Sequence, residues 1–439
     1  MTKGEINRIG DAIRTESDNI SDSTLNKLQA YRTSHKATLS TVFNVLCKIS
    51  KTISKEAIIT YRTKRFESII RKLQRYPDMQ LSRMWDIGGC RCIFGNNYQV
   101  YKLMKLIQRD ATLKIKKVYD YIQKPQDEGY RALHLFIEIP DSTITIEVQI
   151  RNQNDHNWAT LVEITDLLMN VKLKEYSDNK ELLLLHKLLS DKETLSITNR
   201  KIVADIIDKY EYFQKLSGVF GKNYIQIRKR WLDIEGKGAQ YFLIETKIDE
   251  VPKITAFTNF NEAEETYFDV YKSNHNANIV LTHLAVAKYH HVSVAYSNYI
   301  LTYHSFLDDF YQILEKLIYD SMQNRNYWWF RKYYNQYVEV LFSHAVNFIN
   351  EVDEVNSIVP RKSIRGKRFK FGSKEKEWQS DIELRIRNNT ERAFRFNKML
   401  ASSLPTEFFY GFIFKRRVKA VNNAFRKKID SLLRTKAKR

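Results

Sequence analysis

The stretch Thr143-Ile144-Thr145-Ile146-Glu147-Val148-Gln149-Ile150-Arg151 alternates residue by residue, and a period of two is the side-chain period of a β-strand. Ile144, Ile146, Val148 and Ile150 fall on one face; Glu147, Gln149 and Arg151 fall on the other. A carboxylate, an amide and a guanidinium in a row are costly against a packed layer unless they meet a ligand, an ion or one another. The strand is therefore expected to have one face in a core and the other at a working surface. Runs at 90–94, 114–121 and 132–139 also have strand character, and 98–109 is helix-like. Together they form a mixed α/β unit.

At 439 residues the chain exceeds what one hydrophobic core usually serves, so two or three domains are expected. Residues 1–54 read as an N-terminal helical scaffold, with Leu39, Val42, Phe43, Val45 and Leu46 at helical spacing. Residues 61–76 read as a basic amphipathic helix that buries Phe66, Ile69, Ile70 and Leu73 and stops at Pro77. It would carry Arg62, Lys64, Arg65, Arg71, Lys72 and Arg75, either as a solvated face or as a cradle for polyphosphate. The mixed unit spans 55–170, and a helical extension follows over 171–235. Strands at 241–246, 253–257 and 277–284, with helices at 261–272 and 299–319, suggest a small accessory α/β domain over 236–320. Residues 321–439 read as a helical, strongly basic region, with aromatics around Trp328, Trp329 and Phe330 and a loop at Gly366 and Gly372. The fold class is α+β: a mixed sheet flanked by helices, the accessory α/β domain and the basic helical region.

The charge is concentrated. Residues 361–439 hold 24 Lys and Arg against 7 Asp and Glu, so 24 − 7 = +17 of the chain's formal +21 lies there. Such a segment suits RNA or another polyanion, or is simply a solvated tail. Three cysteines, Cys47, Cys90 and Cys92, make neither a disulfide framework nor a four-ligand zinc site. With no secretory signal pattern at the N-terminus, they fit a cytoplasmic protein. The apolar stretch at 399–414 is interrupted by Pro405 and Glu407 and is too short to span a membrane.

Two acids stand out. Asp86 precedes Gly88, Gly89 and Arg91 at the entrance to a strand, where small residues let the backbone approach a ligand; a turn-forming Asp is the bland alternative. Glu147 lies mid-strand. Magnesium takes one or two protein carboxylates and leaves its other positions to water and phosphate, so Asp86 and Glu147 would suffice. Residues 119–134 join two strands through a loop containing Pro125, Gly129 and Tyr130, and the tyrosine is placed either to stack on a base or to cap a core.

In order along the chain, these residues resemble a RelA/SpoT-type alarmone synthetase domain. Arg62, Lys64, Ser68, Ile69 and Lys72 meet its Arg-x-Lys-x-x-x-Ser-Ile-x-x-Lys pattern, and Asp86, Gly89 and Arg91 meet Asp-x-x-Gly-x-Arg. Asp120, Tyr121, Ile122, Pro125, Gly129, Tyr130, Leu133 and His134 match its loop block. Glu147, Gln149, Ile150 and Arg151 match its strand block, continued by His156, Trp158, Ala159 and Glu163. Gln126 and Asn152 depart from the Lys and Thr common at those places, and Lys124 offers a substitute for the first.

The resemblance implies a nucleotidyltransferase-like sheet that moves pyrophosphate from ATP to a ribose 3'-hydroxyl with Mg2+. Arg62, Lys64, Ser68, Lys72 and Arg91 would hold ATP, and Asp86 and Glu147 the metal, with Glu147 also activating the hydroxyl. Tyr130 would stack on the acceptor base, and Lys117, His134, Gln149, Arg151 and His156 would either touch the substrate or shape that pocket. The expected acceptor is GDP or GTP. Some relatives are fused toxin and antitoxin proteins of phage defence, for which the tRNA 3' end is the alternative acceptor; an inert, nucleic-acid-binding regulator is a third reading. No His-Asp pair precedes the domain, so product hydrolysis is not expected, and the rest of the chain is expected to restrain the enzyme.

Overall fold

A computed structural model describes the chain apart from residues 17–18, 141, 172, 174–178, 248–249, 276, 302–304, 359–372, 406, 408 and 438–439. It divides into two units: Met1–Ser190 with Gln226–His304, and Asp191–Ile225 with Ser305–Arg439.

The first unit begins with α1 (Lys3–Glu16), α2 (Asp22–Thr33), α3 (Lys36–Ile53), β1 (Ile58–Thr63), α4 (Phe66–Arg75), β2 (Gly88–Phe94) and α5 (Asn97–Arg109). It continues through β3 (Lys114–Asp120), β4 (Leu133–Glu138), β5 (Ile146–Asn152), α6 (Gln153–Met169) and α7 (Lys180–Ser190). Next, α8 (Ile197–Lys209) belongs to the second unit, and α9 (Tyr212–Ile234) is divided between the two. β6 (Tyr241–Thr246), β7 (Lys253–Phe257), α10 (Phe260–Ser273), β8 (Asn278–Leu284), α11 (Tyr289–Ala295) and α12 (Ser297–Ile300) complete the first unit.

All eight strands form one sheet in the order β3-β4-β5-β2-β1-β8-β6-β7. Among these described strands only the β2–β5 pair is parallel; the other neighbours are antiparallel. Ile146, Val148 and Ile150 are fully buried in the same core as Leu39, Val42 and Leu46 of α3 and Leu103 and Ile107 of α5. The alternating strand thus packs one face as its pattern requires. The helix α6 starts at once, because the Asn152 side chain accepts from the Asp155 amide at 2.8 Å. The departure at Asn152 therefore keeps an N-cap, a role that threonine also fills.

Two expectations are corrected. Residues 58–63 are a strand, so Arg62 lies on β1, Lys64 lies in the turn after it, and the helix begins only at Phe66. The β-branched run Ile58-Ile59-Thr60 favours the strand, whereas the stripe of Phe66, Ile69, Ile70 and Leu73 belongs to α4 alone. The accessory strands have the expected positions but close no sheet of their own. β8 pairs with β1, with Thr60 opposite Leu284 and Tyr61 opposite His283, so a domain boundary at 236 does not hold for the sheet.

The second unit is helical: α8, part of α9, α13 (Phe306–Gln323), α14 (Tyr327–Ile358), α15 (Ser373–Ser403) and α16 (Phe409–Ala437). It draws on both the expected 171–235 extension and the 321–439 region. Phe330, Tyr333, Tyr334 and Tyr337 of the aromatic stretch are buried in it, whereas Trp328 is exposed. Buried Glu351 accepts from Trp378 Nε1 at 3.0 Å and Arg385 Nη2 at 2.5 Å, which ties α14 to α15. The Gly366 and Gly372 loop lies outside the described residues.

Candidate active site

Strand register assembles the site from residues distant in sequence. Across β1, β2, β5 and β4, Thr60 faces Arg91, Arg91 faces Gln149, and Gln149 faces His134. In the next row Arg62 faces Gly89, and Gly89 faces Glu147. Gly89 contributes no side chain, which leaves space between the cation and the acid. A cavity of about 280 Å³ opens here, lined by Thr60, Arg62, Lys64, Asp86, Gly89, Cys90, Arg91, His134, Glu147, Gln149 and Tyr296.

Both acids are held. Lys64 Nζ donates to Asp86 Oδ2 at 2.7 Å, and Lys72 Nζ donates to the same oxygen at 3.1 Å. Burial raises the Asp86 pKa, but the two ammoniums outweigh it and bring it to about 2. Glu147 accepts from His134 Nδ1 at 3.0 Å and from Gln149 Nε2 at 3.1 Å. Burial and the Asp86 charge push its pKa up; the His134 hydrogen bond and charge prevail, and it lies below the ordinary value. His134 Nε2 lies 2.7 Å from the Tyr130 hydroxyl, and the two share a hydrogen bond. Tyr130 in turn accepts from Arg151 Nη2, whose guanidinium carbon lies 4.9 Å from the centre of the Tyr130 ring.

Eight of the residues singled out from sequence line the cavity: Arg62, Lys64, Asp86, Gly89, Arg91, His134, Glu147 and Gln149. Lys72, Tyr130 and Arg151 stand one contact behind them. Ser68 is half-buried on α4, outside the lining. Lys117 is exposed on the edge strand β3, its ammonium 4.5 Å from the Tyr119 ring centre. His156 is fully buried, and its Nε2 donates to the Val294 carbonyl at 2.9 Å. Burial, reinforced by Arg91 and Arg151, holds its pKa well below the ordinary value.

The loop before β4 is pre-shaped. Asp120 Oδ1 accepts from the Ile122 and Gln123 amides at 3.0 Å each, an Asx-type turn. Gly129 has φ +97°, and a β-carbon there would stand 2.4 Å from Ser190 Oγ, so glycine is required twice over.

Thr60, Cys90 and Tyr296 line the cavity without having been read from sequence. Thr60 was recoverable from the β-branched run. Tyr296 had no local signal: it reaches the site from the connection between α11 and α12. That connection also meets motif residues. Arg91 Nη1 donates to the Ala295 carbonyl at 2.9 Å, and Asn298 Nδ2 donates to Glu163 Oε2 at 2.5 Å. The Arg65 and Arg91 guanidinium carbons lie 5.8 Å from the Tyr299 and Tyr296 ring centres respectively.

The donor set fits a hard divalent cation. Two carboxylates share one cavity, and no group of three or more His, Cys, Asp or Glu suited to a metal occurs among the described residues. A magnesium ion here would take its remaining oxygens from water and polyphosphate.

A family model described as a region found in RelA / SpoT proteins matches residues 61–165, a span that contains every motif block. The chain is 37% identical over 112 residues to the GTP pyrophosphokinase YwaC of Bacillus subtilis, covering 23% of this chain and 53% of that protein. It is 33% identical over 113 residues to the GTP pyrophosphokinase YjbM of the same organism, covering 24% and 53%. The chain thus spans about half the length of these two curated relatives. The solved structure of small alarmone synthetase 2 from Bacillus subtilis aligns at 28% identity and a TM-score of 0.32, covering 42% of this chain and 98% of that one.

Proposed function

We propose, from the premise that residues 61–165 are a RelA/SpoT-type synthetase domain, that this protein transfers pyrophosphate from ATP to the 3'-hydroxyl of GDP or GTP. The observation that carries the reading is that Asp86 and Glu147 line one cavity with Arg62, Lys64 and Arg91. The acceptor oxygen bonds to the β-phosphorus, the bond from that phosphorus to the α,β-bridging oxygen breaks, and AMP leaves. Little covalent work falls to the protein, so catalysis is positioning and charge neutralisation.

Arg62, Lys64, Lys72 and Arg91 hold the polyphosphate of ATP, and Ser68 borders them. Asp86 and Glu147 would hold magnesium, which would supply charge neutralisation at the phosphate oxygens. Glu147, oriented by His134 and Gln149, receives the proton of the 3'-hydroxyl. Tyr130 stacks on the acceptor base. Lys117 and His156 play no direct part in this reading.

The segment carrying Tyr296 and Tyr299 restrains the enzyme by occupying the surroundings of Arg91 and Arg65. This gives a physical form to the expectation that the rest of the chain restrains the synthetase.

A second reading takes the tRNA 3' end as acceptor. It is supported by α16, which exposes Arg416, Lys419, Arg426 and Lys427. The inert-regulator reading is disfavoured, because an idle fold has no need to keep both acids and the cations around one cavity. Purified protein given ATP labelled in its β,γ-phosphates, with GDP, GTP or tRNA in separate reactions, decides among them. Label on guanine nucleotide is the expected result; label on tRNA alone selects the second reading, and label on neither overturns both.

A further inference from the structure

The turn that joins β1 to α4 carries Lys64, and it is gripped from both sides by side chains outside residues 61–165. From α2, Arg32 Nε donates to the Lys64 carbonyl at 2.7 Å and Nη2 donates to Thr63 Oγ1 at 2.9 Å. From α10, Glu264 accepts from Thr63 Oγ1 at 2.7 Å through Oε1, and from Arg32 Nη1 at 3.3 Å through Oε2. Gln29 bridges the pair: it accepts from Arg32 Nη1 and donates to Glu264 Oε2 at 3.1 Å. The Arg32 guanidinium carbon lies 4.4 Å from the Phe66 ring centre and 4.9 Å from that of Tyr267, whose hydroxyl accepts from the Phe66 amide at 3.3 Å.

Arg32 is 0% exposed and Glu264 2% exposed. Removing two full charges from water is costly, and such a pair persists only where its geometry and additional hydrogen bonds are good. Here those extra bonds all end on Thr63 and Lys64 or on Gln29 between them. The Lys64 amide is fixed as well, donating to the Ile87 carbonyl at 2.7 Å next to Asp86. With the main chain of Lys64 held at both its amide and its carbonyl, its ammonium is delivered to Asp86 from a rigid base.

We infer that Arg32 and Glu264 are positioning residues for the ATP site, acting through Thr63 and Lys64. This deepens the proposed function and rests on it. It also gives α10, beside the strands that the sequence assigned to an accessory domain, a direct part in nucleotide binding.

The test uses the full chain and measures the binding of a non-hydrolysable ATP analogue with magnesium, GDP binding and the melting temperature. Wild type, Glu264→Gln, Thr63→Val and each of these in a Lys64→Ala background are compared. Glu264→Gln and Thr63→Val are expected to weaken analogue binding about tenfold with GDP binding unchanged, and to lose most of that effect once Lys64 is absent. Equal analogue binding in a folded variant, or a loss that persists undiminished without Lys64, overturns the inference. Thr63→Val changes no charge, so it decides the matter if Glu264→Gln fails to fold. Absence of analogue binding in the wild type would instead overturn the proposed function itself.

Discussion

The two halves of the single sheet are built for different tasks. In β1, β2 and β5 one face is apolar and the other presents Arg62, Arg91, Glu147 and Gln149 to a cavity. In β6 and β8, Phe242, Leu243, Ile244, Val280 and Leu281 are buried on both faces. One half tolerates charged groups because they meet each other and a ligand space; the other is packed on both faces and acts as scaffold. The boundary between them falls within one hydrogen-bonded sheet, so chemistry and support need not separate into domains.

The strongest way to break this comparison is Glu147→Gln. It is expected to lower transfer by about 10²- to 10⁴-fold while the melting temperature stays near wild type. Turnover at the wild-type rate would contradict the role assigned to the acid. Leu243→Ala in the scaffold half should do the reverse, costing about 2–5 kcal/mol in urea unfolding with activity per folded molecule preserved. A selective loss of activity at full stability would show that the halves are not divided in this way. Tyr296→Ala sits where the halves meet and should raise analogue affinity or transfer several-fold by opening the cavity; a lower affinity would make Tyr296 a substrate contact instead of a restraint.

Acid should weaken the scaffold through histidines that the site does not use. Burial lowers His35, His283 and His291 to about 4, with smaller contributions from Arg32, Lys36 and His290 respectively. The unfolded chain, with a pKa near the ordinary 6.5, takes up these protons first as pH falls. Stability is therefore complete above about pH 6.5 and declines toward pH 4. Melting temperatures at successive pH values should fall by several degrees across that window, and less so in His283→Gln; a flat profile would contradict the burial of these rings. The smallest effect concerns the helical unit. Replacing exposed Arg416 and Lys419 by Glu should weaken tRNA binding modestly and flatten its dependence on salt, as read by filter binding at several salt concentrations; unchanged binding would leave α16 without that partner.

Most strands were legible because two-residue alternation is a local property, and 241–246 and 253–257 coincide with β6 and β7. The core of the site was legible for a similar reason, since each motif block is short and contiguous. β1 was not. Arg62, Lys64 and Arg65 precede a true amphipathic stripe closely enough to extend its apparent period, although the backbone changes conformation before Phe66. Sheet continuity was illegible as well: the pairing of Tyr61 with His283 joins segments far apart in the chain, and no local pattern encodes a partner. Tyr296 and Glu264 were missed on the same grounds, each meaningful only once the sheet has brought it beside β1.

The bond between β1 and β8 also limits how the molecule can be cut. Ala285 donates its amide to the Ile59 carbonyl at 3.0 Å, so a fragment ending at Ser190 would leave a flank of β1 without its neighbour. A bare strand margin of this kind recruits any extended peptide within reach. The motif-bearing segment excised from this chain would be an adhesive particle, prone to self-association before it met any ligand.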